Sequence, residues 1–452
     1  MSDNTLINLA YEGLSTLAGL FGWPFFYWHL KSRGRGESFR PRLGLDLPGG
    51  PPPGQPRLWL HGISVGEILA ALPLVRELQG LLPGAAFIVS TGTETGQALA
   101  RKYFSPLGAR VCYFPLDIPW TVQRYLERLQ PHLVITLESE IWPNFLNLAR
   151  QRGVLLALAN ARVSGQSFRR YLRYRRYTTE LINHYDLIIP GTPLDYQRLL
   201  AVGLDPAKIR LSGNLKCDRL FQDRNEAESA QFQRLLHGGQ EVSGGEPVWL
   251  AASTHAGEEE IVLAAYKELL GPYPSLLLVL APRHPERAPG LRDNLVGAKY
   301  RLPAHLWSRL KAGLEVRTRP VVLIDTIGDL FSLYGATDVA FVGGSLVRHG
   351  GQNILEAAAW GRAPLYGPNL SNFRWAQDIL EADDSGAGIR VADAASLAAA
   401  VDRLLKNPEL RRDLGARAQA TLIPHQGAAR RQAELIAGLW RKQAASLEQR
   451  RT

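Results

Sequence analysis

Beyond Arg57 the chain is a succession of short apolar runs separated by longer stretches in which apolar residues recur at helical spacing. RLWLHG, AAFIVSTG, LVITLE, VLLALANA and DLIIPGT form a first series, and PVWLAAST, SLLLVLAPRH, VVLID, DVAFVGGS and RAPLYGP a second. Apolar runs too short for helices, alternating with amphipathic segments, predict βαβ units on a parallel sheet in each series. The polar region from Glu226 to Glu246, containing HGGQEVSGGEP, separates the two and reads as an interdomain connection. The pattern predicts two tandem doubly wound α/β domains facing a cleft, one over residues 46–222 and one over 223–452 that includes the closing helices. Ligands of such sheets bind beyond the carboxyl ends of the strands, so residues at strand exits carry the most weight.

The segment 1–45 follows a different pattern. Leu6 to Leu30 is apolar and aromatic, broken by Glu12 and Pro24 and trailed by Lys31, Arg33 and Arg35; Leu45 to Pro56, LDLPGGPPPGQP, then reads as a linker. A bilayer span needs roughly 20 apolar residues, which this segment barely supplies with a charge inside it. No small-residue cleavage site follows, which argues against a removable signal peptide. Trp23, Phe25, Phe26, Tyr27 and Trp28 beside basic residues suit the headgroup boundary of an anionic membrane. A membrane-associated helix, interfacial or single-pass, is expected; the competing reading is an amphipathic helix packed on the protein itself.

Composition narrows the function classes. With 46% hydrophobic and 21% charged residues among 452, neither a disordered chain nor a many-spanning membrane protein fits. Cys112 and Cys217 lie far apart with no CxxC spacing or histidine cluster, so neither a disulfide framework nor a metal site is expected, and a reducing, cytoplasmic setting is. The net charge of +10 and a pI near 9.6 call for an anionic partner: nucleic acid, an acidic membrane surface or a phosphorylated substrate. A Walker A sequence and a GxGxxG after the first strand are both missing, which disfavours a P-loop ATPase and a standard NAD-binding domain.

Candidate chemistry collects at the strand exits. Glu67 leaves the first strand in HGISVGE, where Gly62 and Gly66 allow close backbone approach. There it could act as a general base toward a hydroxyl or simply favour the helix dipole. LESEIWPN ends another strand at Glu138, followed by Glu140, and Lys216 in GNLKCD is a natural cation for the same cleft; a surface salt bridge is the plain alternative for each. In the second series, Ser253, Thr254 and His255 precede a helix start suited to anions. Arg283, His284 and Arg287 suit a phosphate or a pyrimidine base. GGSLVRHGGQNILEAA predicts a nucleotide cradle, with backbone amides for phosphate, a helix beginning near Gln352, and Glu356 for ribose hydroxyls. Arg162, Arg169, Arg170, Arg173, Arg175 and Arg176, interleaved with tyrosines, fit an RNA surface, a solvated helix face or a clamp for lipid phosphates; the N-terminal segment favours lipid.

In order along nearly the whole chain, HGISVGE, PLDIPW, LESEIWPN, NARVS, GNLKCD, STHAGEEE, APRHPER, FVGGSLV and GGQNILEAA resemble the 3-deoxy-D-manno-octulosonic acid (Kdo) transferases of lipopolysaccharide assembly. The resemblance implies a GT-B fold of two Rossmann-like domains. It implies a CMP-Kdo donor held by the C-terminal domain and a lipid A precursor held by the N-terminal domain at the cytoplasmic face of the inner membrane. It further implies inversion without a metal or separate cofactor, and no nucleic-acid partner. Carried over by motif, Glu67 is the catalytic base, with Glu138 and Lys216 assisting the transition state. CMP contacts fall on Pro282 and Arg283, on Ile327, Gly328 and Asp329, and on Asn353, Ile354, Leu355 and Glu356. Gln352 departs from the histidine commonest in the glycine-rich motif; it keeps hydrogen bonding, excludes an imidazolium at that point, and is expected to leave donor binding intact. A nucleotide-sugar epimerase of the same architecture and a non-enzymatic membrane or RNA-binding scaffold are the rival classes; neither needs both an acceptor site and carboxylates aimed into a cleft.

Overall fold

The computed structural model describes residues 3–32, 36–50, 54–239, 246–382 and 385–449. Arg33 and Arg35, part of the proline-rich linker and part of the polar connection lie outside these, as do the side chains of Leu6, Phe26 and Leu30. The chain divides into two compact units, Met1–Arg219 with His425–Thr452, and Leu220–Pro424.

The first unit is built on a parallel sheet of β1 (Arg57–Gly62), β2 (Ala86–Thr91), β3 (Arg110–Tyr113), β4 (Leu133–Leu137), β5 (Leu155–Ala161) and β6 (Leu187–Pro190), in the order β3-β2-β1-β4-β5-β6. LVITL in β4 and LLALANA in β5 are buried at every position, as strands covered by helices on both faces must be. Side chains alternate across β1. Leu58 and Leu60 enter one core layer, while Trp59 enters the other, where it lies edge-on to Phe145 at 5.2 Å and donates from Nε1 to Ser90 Oγ at 2.7 Å.

The sequence reading places the closing helices in the second domain; the structure corrects this for the last one. Ala428–Gln449 returns to the first unit, where Ala429, Ala433, Ile436 and Ala437 join the layer formed by Ile68, Leu74 and Leu78 of helix Val65–Leu81. Small alanines along one helix face let two helices approach closely, and that face has no partner until the first sheet provides one.

The second unit holds β7 (Val248–Thr254), β8 (Leu277–Pro282), β9 (Ala304–Leu306), β10 (Val321–Leu323), β11 (Val339–Val342), β12 (Pro364–Tyr366) and β13 (Ile389–Arg390) in the parallel order β13-β12-β11-β7-β8-β10-β9. β3, β9 and β13 were not legible as strands. Each is short and forms a sheet edge, so it lacks the apolar run that burial on both faces imposes on inner strands. The strand order reverses between β1 and β4 in the first unit and between β7 and β11 in the second, the points where doubly wound sheets open a crevice.

Helix Asp3–Phe21 packs on the first unit by a stripe at four-residue spacing. Tyr11 donates to Asp117 at 3.1 Å, Ser15 Oγ accepts from Asn144 Nδ2 at 2.9 Å, and Gly19 lies against Ile118. Its other faces, and those of helix Trp23–Ser32, leave Leu14, Leu17, Phe21, Trp23, Phe25 and Trp28 exposed. Among the described residues no helix is long and apolar enough to cross a membrane.

Candidate active site

At the first switch point β1 runs out at Gly62 and helix Val65–Leu81 begins after Ser64, its N-cap. Ser64 Oγ accepts from the Glu67 amide at 3.2 Å and donates to Glu67 Oε1 at 2.7 Å, while the Ile63 amide donates to Oε2 at 2.8 Å. Glu67 thus closes a capping interaction and is held in one orientation by it. The residue is half-buried. Burial raises its pKa and the charge of Glu138 raises it further, outweighing the bonds from Ser64 and Ile63 and the cation of Lys216.

Glu138 leaves β4 with a φ of +58°, a left-handed conformation unusual for a residue with a side chain, and is 7% exposed. Its Oε1 is ion-paired with Lys216, and Arg162 Nη1 stands 3.7 Å from Oε2. The arginine run is therefore divided: Arg162 turns to Glu138, whereas Arg169, Arg170, Arg173, Arg175 and Arg176 lie on the surface. Glu140 takes a separate place, accepting from Trp142 Nε1 at 2.9 Å with His61 Nε2 at 3.6 Å.

Sequence reasoning missed the residues that seat Lys216. Asn160 Oδ1 accepts from the Leu215 amide at 3.0 Å and Asn214 Oδ1 from the Lys216 amide at 2.8 Å. From the returning C-terminal segment, Gln432 accepts from the Asn160 amide and donates to Gly213 O, and His425 Nδ1 accepts from the Asn214 amide at 3.2 Å. Burial, then the charge of Arg431, depresses the His425 pKa to about 4, so it is a neutral acceptor. The asparagines of NARVS and GNLKCD were the available signal; nothing local marks Gln432.

In the second unit Pro282 ends β8 and is buried, and Arg283 and His284 beyond it are exposed. Arg287 is engaged by Glu259 at 2.8 Å. At the second switch point His255 stacks on His349 at a centroid distance of 4.2 Å, and Gln352 Nε2 lies 3.3 Å from His255 Nε2. Burial first, then His349, His284 and Arg283, depresses the His255 pKa, leaving a neutral ring that accepts the amide of Gln352. Ile327 is 90% exposed, Gly328 has φ +102°, and the Asp329 carboxylate receives bonds from Trp307, Lys311 and Thr326. Burial opposes ionisation of Asp329, but those bonds prevail and hold its pKa below the usual range. Ile354 and Leu355 are fully buried; Asn353 Nδ2 lies 3.4 Å from Oε1 of the half-buried Glu356.

The glycine-rich cradle differs from expectation in two respects. The helix begins at Leu355, not near Gln352. The amides of Gly344, Ser345 and Leu346 are already taken by the fully buried Glu258, at 2.6, 2.9 and 2.8 Å, with the His255 amide making a fourth bond at 3.0 Å. A carboxylate of the chain itself occupies the anion position that these amides create, so they are not available to phosphate. Among the described residues no cluster of metal-ligating side chains occurs, and Cys112 and Cys217 are buried free thiols.

Two parallel doubly wound sheets, one in each unit, are the architecture of the GT-B fold. A UDP-GlcNAc 2-epimerase from Neisseria meningitidis is similar in structure, with a TM-score of 0.57 at 15% identity over 85% of this chain and 100% of that one. A glycosyltransferase from Rickettsia africae has a TM-score of 0.54 at 13% identity over 85% and 98%. These likenesses show the fold alone. In sequence, the profile of the 3-deoxy-D-manno-octulosonic-acid transferase (kdotransferase) family matches residues 37–219. The 3-deoxy-D-manno-octulosonic acid transferase of Haemophilus influenzae is 34% identical over 85% of this chain and 87% of its own, and that of Bordetella pertussis 32% identical over 94% and 96%. The chain belongs to the Kdo transferases, glycosyltransferases of lipopolysaccharide assembly.

Proposed function

We propose that this chain moves Kdo from CMP-Kdo to a lipid A precursor with inversion, at the cytoplasmic face of the inner membrane, using its own cations rather than a metal. Glu67 takes the proton of an acceptor hydroxyl whose oxygen bonds to the anomeric carbon; the bond from that carbon to the CMP phosphate breaks and its electron pair leaves with CMP. Lys216, held on Glu138, stabilises charge as the bond breaks. The observation that carries this reading is the fixed carboxylate of the half-buried Glu67 at the β1 exit, its pKa raised by burial and by Glu138. A base with a raised pKa accepts a proton more readily near neutral pH.

In this reading the donor's nucleotide rests on the second unit: Arg283 for phosphate, the exposed Ile327 and the Gly328 backbone for the base, and Asn353 with Glu356 for ribose. Pro282, Asp329, Ile354 and Leu355 serve through backbone position, since their side chains are buried. The exposed apolar faces of Asp3–Phe21 and Trp23–Ser32 lie on the membrane surface, and the exposed arginines near Arg169 to Arg176 meet lipid phosphate rather than nucleic acid. Incubation with CMP-Kdo and a tetraacylated lipid A precursor is expected to release CMP and increase the lipid mass by one or more Kdo units. CMP release without a heavier lipid would refute the acceptor assignment.

A further inference from the structure

Beside the residues just assigned to the nucleotide, the second unit has a cavity of about 280 Å³ that they do not use. It lies between the loops that follow β11 and β12, next to the second switch point, where a doubly wound sheet receives its ligands. Its volume is close to the lower end of the range for small-molecule sites, about 300–1,000 Å³. Arg348, Arg374, Asn369 and Ser371 contribute to its lining, and no acidic side chain does.

The two arginines differ from three others of the unit. Arg287, Arg317 and Arg390 are each engaged by a carboxylate at hydrogen-bonding range. Arg348 makes no ion pair among the described residues, and Arg374 has only Asp378 at 3.6 Å, with a side chain 71% exposed. An adjoining cavity of about 320 Å³ shares Arg374 with the first, but its other cation, Arg390, is bound by Glu381 at 2.7 and 2.8 Å. The first cavity thus carries two cations with no carboxylate at hydrogen-bonding range among the described residues.

The walls are fixed before any ligand arrives. Asn372 donates from Nδ2 to His349 O and from its amide to Gly350 O, both at 3.0 Å, and the Asn369 amide donates to Ser345 O at 2.9 Å. Gly350 and Gly351 have φ of +83° and +77°, and a Cβ on Gly351 would lie 3.0 Å from Asn369 O, so only glycine allows the loops to meet this closely. Those two glycines also join Arg348 to Asn353, so whatever is attached to a nucleotide held at Asn353 and Glu356 has this cavity next along the loop.

We propose that the cavity is the donor's sugar subsite, binding a hydroxylated sugar acid, with Arg348 and Arg374 holding its carboxylate and Asn369 and Ser371 its hydroxyls. Planar guanidiniums match a carboxylate with paired bonds, which a neutral hexose cannot offer. This inference rests on the donor assignment above and extends it to the part of the donor that distinguishes one sugar from another.

The test compares the full-length protein with its Arg348→Ala, Arg374→Ala and doubly substituted variants, measuring CMP affinity by calorimetry and KM for CMP-Kdo by CMP release. The expected result is a KM raised about tenfold or more in each variant with CMP affinity within twofold of the parent, and partial recovery in Arg374→Lys. A parent-like KM in the double variant would overturn the subsite while leaving the donor assignment standing. Loss of CMP affinity in a variant whose melting temperature is unchanged would assign the arginines to the nucleotide and also overturn it. If the parent protein neither binds CMP nor releases it from CMP-Kdo, the donor assignment falls, and the subsite with it.

Discussion

Lys216 is ion-paired with Glu138, and its Cε would lie 3.8 Å from a Cβ placed on Gly66, so the cation extends from the turn bearing Glu67 to the carboxylate that ends β4. Three segments distant in sequence meet there, and each charge affects the titration of Glu67: Glu138 raises its pKa and Lys216 lowers it. A base works only when deprotonated, so activity falls as pH drops through the pKa of Glu67. Lys216→Met is expected to move this acidic limb of kcat/KM to higher pH, and Glu138→Gln to lower pH. A limb that does not move in either variant would show that another group titrates.

Glu67 both caps a helix and is proposed as the base, and two substitutions separate the roles. Glu67→Gln keeps the shape and an acceptor oxygen, so the fold should persist while turnover falls about a hundredfold or more with CMP affinity unchanged. Ser64→Ala removes the N-cap and should cost about 1 kcal/mol of stability, with a smaller effect on turnover. Wild-type turnover in Glu67→Gln would remove Glu67 from the mechanism.

Glu258 is expected to hold the fold of the second unit through the four amides it accepts from. Glu258→Ala leaves the amides of His255, Gly344, Ser345 and Leu346 without their acceptor inside the protein. A loss of about 3 kcal/mol or more follows, because unmet buried donors each carry a desolvation cost. Calorimetric unfolding should show the lower melting temperature, together with weaker CMP binding as the glycine-rich loop loosens.

His425 and Asp117 pull the pH dependence of stability in opposite directions. The folded pKa of His425, about 4, lies below its ordinary 6.5, so its contribution is complete above 6.5 and is lost as pH falls toward 4. Burial raises Asp117 from 3.8 to about 6, so its contribution runs the other way and is lost as pH rises from 3.8 to 6. His425→Asn should therefore remove stability gained on raising the pH from 4 to 6.5 and expose the decline due to Asp117. Denaturant titrations across that interval check the sign.

Membrane association can be tested without dismantling the packed stripe of Tyr11, Ser15 and Gly19. Serine at Leu14, Leu17, Phe21 and Trp28, all exposed, should reduce co-sedimentation with anionic vesicles while CMP binding and melting temperature persist. The remaining binding, through the exposed arginines near Arg169, should be lost at high salt. Undiminished sedimentation of the substituted protein would place the membrane contact elsewhere.

The sequence by itself determined the class of fold and the strand exits where chemistry could gather. An inner parallel strand is buried on both faces and must be continuously apolar, so β1, β4, β5, β7 and β8 announce themselves, and with them Glu67, Glu138 and Arg283 just beyond their ends. The short edge strands β3, β9 and β13 lack such a run and stayed hidden. What only the tertiary structure decided is which distant groups meet: Lys216 with Glu138, Gln432 with Asn160, Glu258 with the amides after β11, and the last helix with the first sheet rather than the second. Periodicity reports which face of an element is apolar and leaves open what will cover it. A buried charge must likewise find a partner, but which one it finds depends on the order in which strands pair and helices pack, and that order is not written in any local stretch of the chain.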